Sequence, residues 1–268
     1  MKLKAFSITL ACLLTVTASI AVAQSAPNAA AASPSTIPVQ RTEEWAIISH
    51  EQIKRNVTTG RCNVIFLGDS ITHRWKYAKG PAGGAAIWEK YWSPLGAGCM
   101  GIPADKIQNV LWRITEGGEL DGTNGKVVVL MIGINNLNVP DVTPQDAADG
   151  IKAIVDHVKT TLPGAKVLVM GILPCWNPGT HLIRGKVSQT NEMIQKLEDL
   201  KQVYYLDLGA KLLEPDGSLS KEKMPDAMHP SEVGYEILAK LMQPYLEDLL
   251  KNGGQGELWK KRVDGKLL

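Results

Sequence analysis

Three segments of this chain, NVIFLGD (63–69), KVVVLMIGIN (126–135) and KVLVMGIL (166–173), are nearly unbroken apolar runs rich in β-branched residues. Such runs suit strands buried on both faces of a parallel sheet. AGCMGI (97–102) and VYYLDL (203–208) are weaker candidates of the same type. Between them the spacing of apolar residues turns helical. Thr143-Pro144 reads as an N-cap followed by proline in the first turn, opening a segment with Ile151, Ile154, Val155 and Val158 on one face. Ser231 is placed to cap a last helix that buries Ile237, Leu238, Leu241 and Met242. Strand and helix alternate, which predicts an α/β fold: a three-layer α/β/α domain on a mainly parallel five-stranded sheet.

The flanks read differently. Lys2 and Lys4 precede an apolar run that closes on Ala21-Val22-Ala23, the pattern of a secretory signal peptide over residues 1–23. That predicts a secreted or periplasmic protein without a stable membrane anchor. Residues 24–40, QSAPNAAAASPSTIPVQ, have the composition of a disordered linker. The folded domain is expected over 41–251, and 252–268 is an extension with no evident role. The formal charge of +2 resides in the two signal lysines, so the remainder is formally neutral. Neutrality removes the electrostatic case for nucleic acid or an anionic membrane as partner. Cys62, Cys99 and Cys175 lie outside the signal and allow at most one disulfide, and their spacing matches no zinc motif.

Ligands of an open parallel sheet bind beyond the carboxyl ends of its strands. Ser70 follows the first strand, Ala104 and Asp105 the second, Asn135 and Asn136 the third. A serine nucleophile needs a base, and the base needs an acceptor for its other ring nitrogen. Of five histidines, His50 and His157 fall on helices, and His73 follows Ser70 without a carboxylate nearby. His181 sits in a loop. His229 lies in PDAMHPSEVGY, three residues after Asp226, a spacing that lets the carboxylate reach the ring. Alone, D-x-x-H is a weak signal, and more often the mark of helix-capping and turn residues beside a solvated histidine.

The ordered set GDS (68–70), GINN (133–136) and DAMH (226–229), with GIPADKIQNVLWRITEGGEL between the first two, resembles the SGNH or GDSL hydrolase family over roughly 42–250. The middle stretch resembles the branch containing platelet-activating-factor acetylhydrolase catalytic subunits and secreted bacterial carbohydrate esterases. The resemblance implies Ser70 as nucleophile, His229 as general base and Asp226 as the residue orienting it. It implies an oxyanion hole of the Ser70 N–H, the Ala104 N–H and the Asn135 amide, with no metal or cofactor. In this branch the second block usually reads GIGGD, and here it is Gly101-Ile102-Pro103-Ala104-Asp105. An alanine at a glycine position keeps its N–H but is strained if the site demands positive φ. Ile134 also replaces a common threonine.

Asp69, Trp75, Trp176 and His181 are the candidates for contact with substrate, whereas Trp88, Trp92 and Trp112 have the spacing of core residues. The expected activity is hydrolysis of acetyl or other short acyl esters, small ones or those on polysaccharide, through an acyl-enzyme. A lysophospholipase or ether-phospholipid acetylhydrolase is the alternative, disfavoured by the lack of a long apolar lid-like segment. A noncatalytic carbohydrate-binding protein on the same fold is a third reading, supported only by Ala104.

Overall fold

The computed structural model describes residues 32–59 and 62–261. Five strands, β1 (Val64–Gly68), β2 (Ala97–Gly101), β3 (Val127–Met131), β4 (Lys166–Met170) and β5 (Val203–Leu206), form one sheet in the order β2-β1-β3-β4-β5. Every pairing is parallel. The helices are α1 (Glu44–Thr59), α2 (Ser70–Tyr77), α3 (Ala85–Tyr91), α4 (Ile107–Ile114), α5 (Ile134–Leu137), α6 (Pro144–Thr161), α7 (Leu182–Ile194) and α8 (Glu232–Asn252). The predicted α/β architecture is thus the observed one. All three strands at the centre of the candidate chemistry end level, because Gly68 of β1 is in register with Gly101 of β2 and Met131 of β3. Three loops therefore leave the sheet at the same height.

The strands are shorter than the apolar runs. The run expected to reach Asn135 stops at Met131, because Gly133 adopts φ 126 and Ile134–Leu137 turns into a short helix. At Gly101 a Cβ would come within 2.2 Å of the His73 nitrogen, so only glycine lets α2 start so close to the end of β2. Both predicted caps form. Thr143 and Asp146 make a reciprocal capping box at α6, and the Ser231 hydroxyl accepts from the Gly234 N–H at α8.

The expected boundaries need two corrections. The signal segment 1–23 and linker residues 24–31 lie outside the described residues, but Ala32–Gln40 is not a disordered linker. Pro34–Thr36 forms a 3-10 turn, Ser35 is buried, and the Ser35 Oγ accepts from Asn136 Nδ2 at 3.2 Å. The Val39 N–H donates to the Gln108 carbonyl. Docking is possible because α6 carries Gly150, where a Cβ would meet the Ser35 carbonyl oxygen at 2.7 Å. Composition could not reveal a partner that is a missing side chain 115 residues away. At the other end, the stretch assigned to an extension includes a 3-10 turn, Glu257–Lys261, whose Trp259 is buried against Tyr204 and Tyr245 with ring centroids 4.6 and 5.0 Å away. Its indole N–H donates to Asp248 Oδ2 at 3.0 Å.

Cys62, Cys99 and Cys175 are all free thiols. Among the described residues no helix is long and apolar enough to cross a membrane. Since Trp259 fills a slot between β5 and α8, Trp259→Ala is expected to lower the unfolding free energy by about 3 kcal/mol, measured by urea denaturation. An unchanged midpoint would place the C-terminal turn outside the folded unit.

Candidate active site

Ser70 is the first residue of α2, directly after β1 and Asp69. Asp69 is buried, and its Oδ1 accepts from the Ile71 N–H at 2.9 Å, capping the helix. As a first-turn residue, Ser70 has a backbone N–H with no acceptor within its own helix. Its Oγ lies 2.9 Å from His229 Nε2. The other ring nitrogen, His229 Nδ1, is 2.7 Å from Asp226 Oδ2. Oδ1 of the same carboxylate accepts from the backbone N–H groups of His229 and Met228 at 2.7 and 3.0 Å. Burial pushes the Asp226 carboxyl up, but the His229 backbone and ring N–H groups and the Met228 N–H outweigh it and hold the carboxyl below its ordinary value. An ionised Asp226 in this position fixes the imidazole with its proton on Nδ1, leaving Nε2 to accept from Ser70.

The loop after β2 supplies the facing wall. The Asp105 N–H donates to the Ile102 carbonyl at 3.3 Å, closing a turn with Pro103 second and Ala104 third. Ala104 has φ 61, which favours glycine at the third position, as in a type II turn. The departure noticed in the sequence is therefore a strained residue, not a relocated turn. Next to it, Asn135 Nδ2 donates one hydrogen to the Asp105 carbonyl at 2.9 Å, and its second amide hydrogen is free to meet a ligand. Its neighbour Asn136 does different work: it is buried, and its Oδ1 accepts from the Ile107 N–H at 2.8 Å.

Beneath the loop lies a buried charge network. Arg113 Nε is 2.9 Å from Asp105 Oδ2, Nη1 pairs with Glu119 Oε2, and Nη2 donates to the carbonyls of Met100 and Gly68 at 3.0 and 3.2 Å. Asp105 Oδ1 meets Arg41 Nη1 at 3.1 Å. Glu119 Oε1 lies 2.7 Å from His50 Nδ1. These groups stand behind the reactive residues and hold the ends of β1 and β2 and the turn at Ala104 in one frame.

A cleft of about 580 Å³ opens over Ser70, His73, Arg74, Tyr77, Pro103, Ala104, Asn135, Met228 and His229. Five of the predicted residues, Ser70, Ala104, Asn135, Asp226 and His229, are thus brought together. The four substrate candidates are not. Trp75 is in the core, packed on Tyr235 with ring centroids 4.4 Å apart. Asp69 is buried under its own cap. Trp176 braces the histidine loop: its backbone N–H donates to the Ala227 carbonyl, its indole N–H to Asn138 Oδ1. His181 caps α7 by accepting from the Ile183 N–H. Residues overlooked in the sequence, Arg74 and Tyr77 above all, had a usable signal. With Ser70 opening a helix, positions 70, 73, 74 and 77 share one face.

Two outcomes are expected from this geometry. Ala104→Gly relieves a left-handed alanine and is expected to raise stability by roughly 1 kcal/mol, read from urea unfolding; a loss would show that the turn carries no strain. Burial pushes the Asp69 carboxyl up to about 7, against the Ile71 N–H that lowers it. The folded chain then keeps a proton that the unfolded chain releases near pH 3.9, around the ordinary aspartate value. Wild-type stability should fall relative to Asp69→Asn as pH rises from about 4 to 7, and the difference should level off above that. Parallel stability curves for the two proteins from pH 4 to 8 would refute it.

Known proteins place this arrangement in context. Residues 66–237 match the model of the GDSL-like Lipase/Acylhydrolase family. The chain is 33% identical over 222 residues to platelet-activating factor acetylhydrolase IB subunit alpha1 of Rattus norvegicus, covering 81% of this chain and 89% of that one. Among solved structures, a GDSL-like lipase of Bacteroides thetaiotaomicron aligns with a TM-score of 0.60 at 17% identity, covering 76% of this chain and 97% of its own. A catalytic mutant of an acetylxylan esterase of Geobacillus stearothermophilus aligns at 0.51 and 18%, covering 66% and 90%. At these identities the two structures speak for the fold alone. The family match spans the strand-end serine at one end and the histidine loop at the other, and with it the chain belongs to the GDSL, or SGNH, acylhydrolases.

Proposed function

We propose that this acylhydrolase cleaves acetyl and other short acyl esters, preferably on carbohydrate, by acyl transfer to Ser70. The observation that carries the reading is the unbroken relay from Ser70 Oγ through His229 to Asp226, at 2.9 and 2.7 Å. His229 takes the Ser70 proton as Oγ attacks the ester carbonyl. The developing oxyanion is met by the Ser70 and Ala104 N–H groups and the free amide hydrogen of Asn135. The tetrahedral intermediate collapses as His229 protonates the leaving alcohol, and a water, deprotonated by the same ring, then releases the acid and restores Ser70. None of these steps draws on a metal or cofactor.

Substrate class rests on the shape and lining of the cleft. The groups around Ser70 are imidazoles, a guanidinium, an amide, the Tyr77 phenol and the apolar side chains of alanines, Pro103 and Met228, a mixed lining suited to a small acyl group on a polar alcohol. A second reading, an ether-phospholipid acetylhydrolase, is favoured by the relative at 33% identity, whose name specifies platelet-activating factor. Both readings share the short acyl group. We propose export as well, from the segment closing on Ala21-Val22-Ala23.

With nitrophenyl esters, kcat/KM is expected to be highest for acetate and to fall as the acyl chain lengthens to octanoate. Asn135→Ala should cost about 10²- to 10³-fold in kcat, and Ser70→Ala should lose both turnover and labelling by a fluorophosphonate. Rates that rise with chain length would overturn the short-acyl reading. An inactive, unlabelled wild type would overturn the mechanism.

A further inference from the structure

A second cavity, about 210 Å³, lies between α1 and α2 on the far side of His73 and Tyr77. Those two side chains line both it and the catalytic cleft. Their rings pack as a pair with centroids 4.8 Å apart and form the wall that the two spaces share. The remaining walls are Ser49, Gln52, Ile53 and Asn56 of α1, with Gly101 at the end of β2. We infer that this cavity is a subsite for a hydroxyl-bearing ring of the substrate's alcohol, a neutral sugar unit beside the acylated one. The inference rests on the carbohydrate-esterase reading above and deepens it.

Chemistry of the lining selects the ligand. Among the described residues no Lys, Arg, Asp or Glu borders the cavity. The nearest cations lie behind its walls, Arg74 beside His73 and Lys76 at 5.7 Å from the Tyr77 ring, so a quaternary ammonium head group would meet no carboxylate there. Burial, aided by the neighbouring Arg74 charge, pushes the His73 imidazole down, which favours a neutral ring able both to donate and to accept. An alkyl chain would cover the Gln52 and Asn56 amides, for which the described residues supply no hydrogen-bond partner, and would strip them of water without compensation. Sugar hydroxyls satisfy both amides, and Tyr77, 45% exposed, adds a phenol hydroxyl able to donate and accept. Trp45, Ser49, Gln52 and Asn56 recur at spacings of four, three and four residues along α1 and so share one face. Trp45 is itself 46% exposed and extends the same strip by one turn toward Arg41, whose guanidinium lies 5.1 Å from its ring.

The test compares kcat/KM on acetylated xylo-oligosaccharide with kcat/KM on nitrophenyl acetate, for the full chain. The Gln52→Ala/Asn56→Ala double variant is expected to lower the ratio of the two about tenfold through KM, the equivalent of two neutral hydrogen bonds. Asn56→Trp, which fills the cavity instead of emptying it, should lower the ratio at least as far. A wild type active on both substrates whose ratio moves in neither variant overturns the subsite and leaves the esterase reading standing. A wild type that turns over nitrophenyl acetate but no acetylated oligosaccharide overturns the subsite as a sugar site. No turnover of nitrophenyl acetate overturns the esterase reading, and the subsite with it.

Discussion

The Arg113 guanidinium is the point on which the site's geometry depends. It is fully buried on α4 and reaches four acceptors: Asp105, Glu119 and the carbonyls at the ends of β1 and β2. A buried cation is costly unless paired and fully hydrogen-bonded. Here the cost is offset by two carboxylates, and the same bonds tie the residue before Asp69 to the loop bearing Ala104. The strand ends could not drift apart without stranding a charge. Rigidity of that kind is what oxyanion donors require, since they act only if aimed before the reaction begins.

Of the four described non-glycine residues at positive φ, Ala104, Trp176 and Ala227 belong to the loops around the cleft and Leu200 does not. Ala104 and Ala227 both hold positive φ, 61 and 57; the first lines the cleft over Ser70 and the second adjoins Asp226. Left-handed alanine costs about 1–2 kcal/mol. Surrounding bonds over-determine both positions: Arg41 and Arg113 clamp Asp105 after the first, and the Trp176 N–H holds the Ala227 carbonyl. Strain concentrated where chemistry is proposed, and compensated by charge pairs that touch no substrate, is a common pattern of functional sites.

Much of this was legible in the chain. Three apolar runs placed three strands, and the residues after two of them, Ser70 after β1 and Asn135 after β3, converge with Ala104 after the weaker β2, because parallel strands in register deliver their carboxyl-end loops to one edge. GDS, GINN and D-x-x-H are readable for the same reason: the chemistry sits within a few residues of a strand end or a helix cap, where local sequence governs direction. Trp75 and Asp69 misled because proximity to Ser70 along the chain says nothing about rotation around α2. One helical step sends Trp75 into the core while His73, Arg74 and Tyr77 face the cleft.

By itself, then, the sequence determined the α/β order, the residues that form the Ser70–His229–Asp226 hydrogen-bond chain and the unusual alanine of the loop after β2, since each is written in periodicity or in contiguous motifs. Only the tertiary structure decided that the segment from Ser33 is docked, that Trp259 closes the far end of the core, that Ala104 lies at positive φ and that Arg113 bonds two strand ends. Those features pair residues tens to more than a hundred positions apart, and close packing selects such partners by shape and complementary charge, quantities that no local stretch of sequence contains.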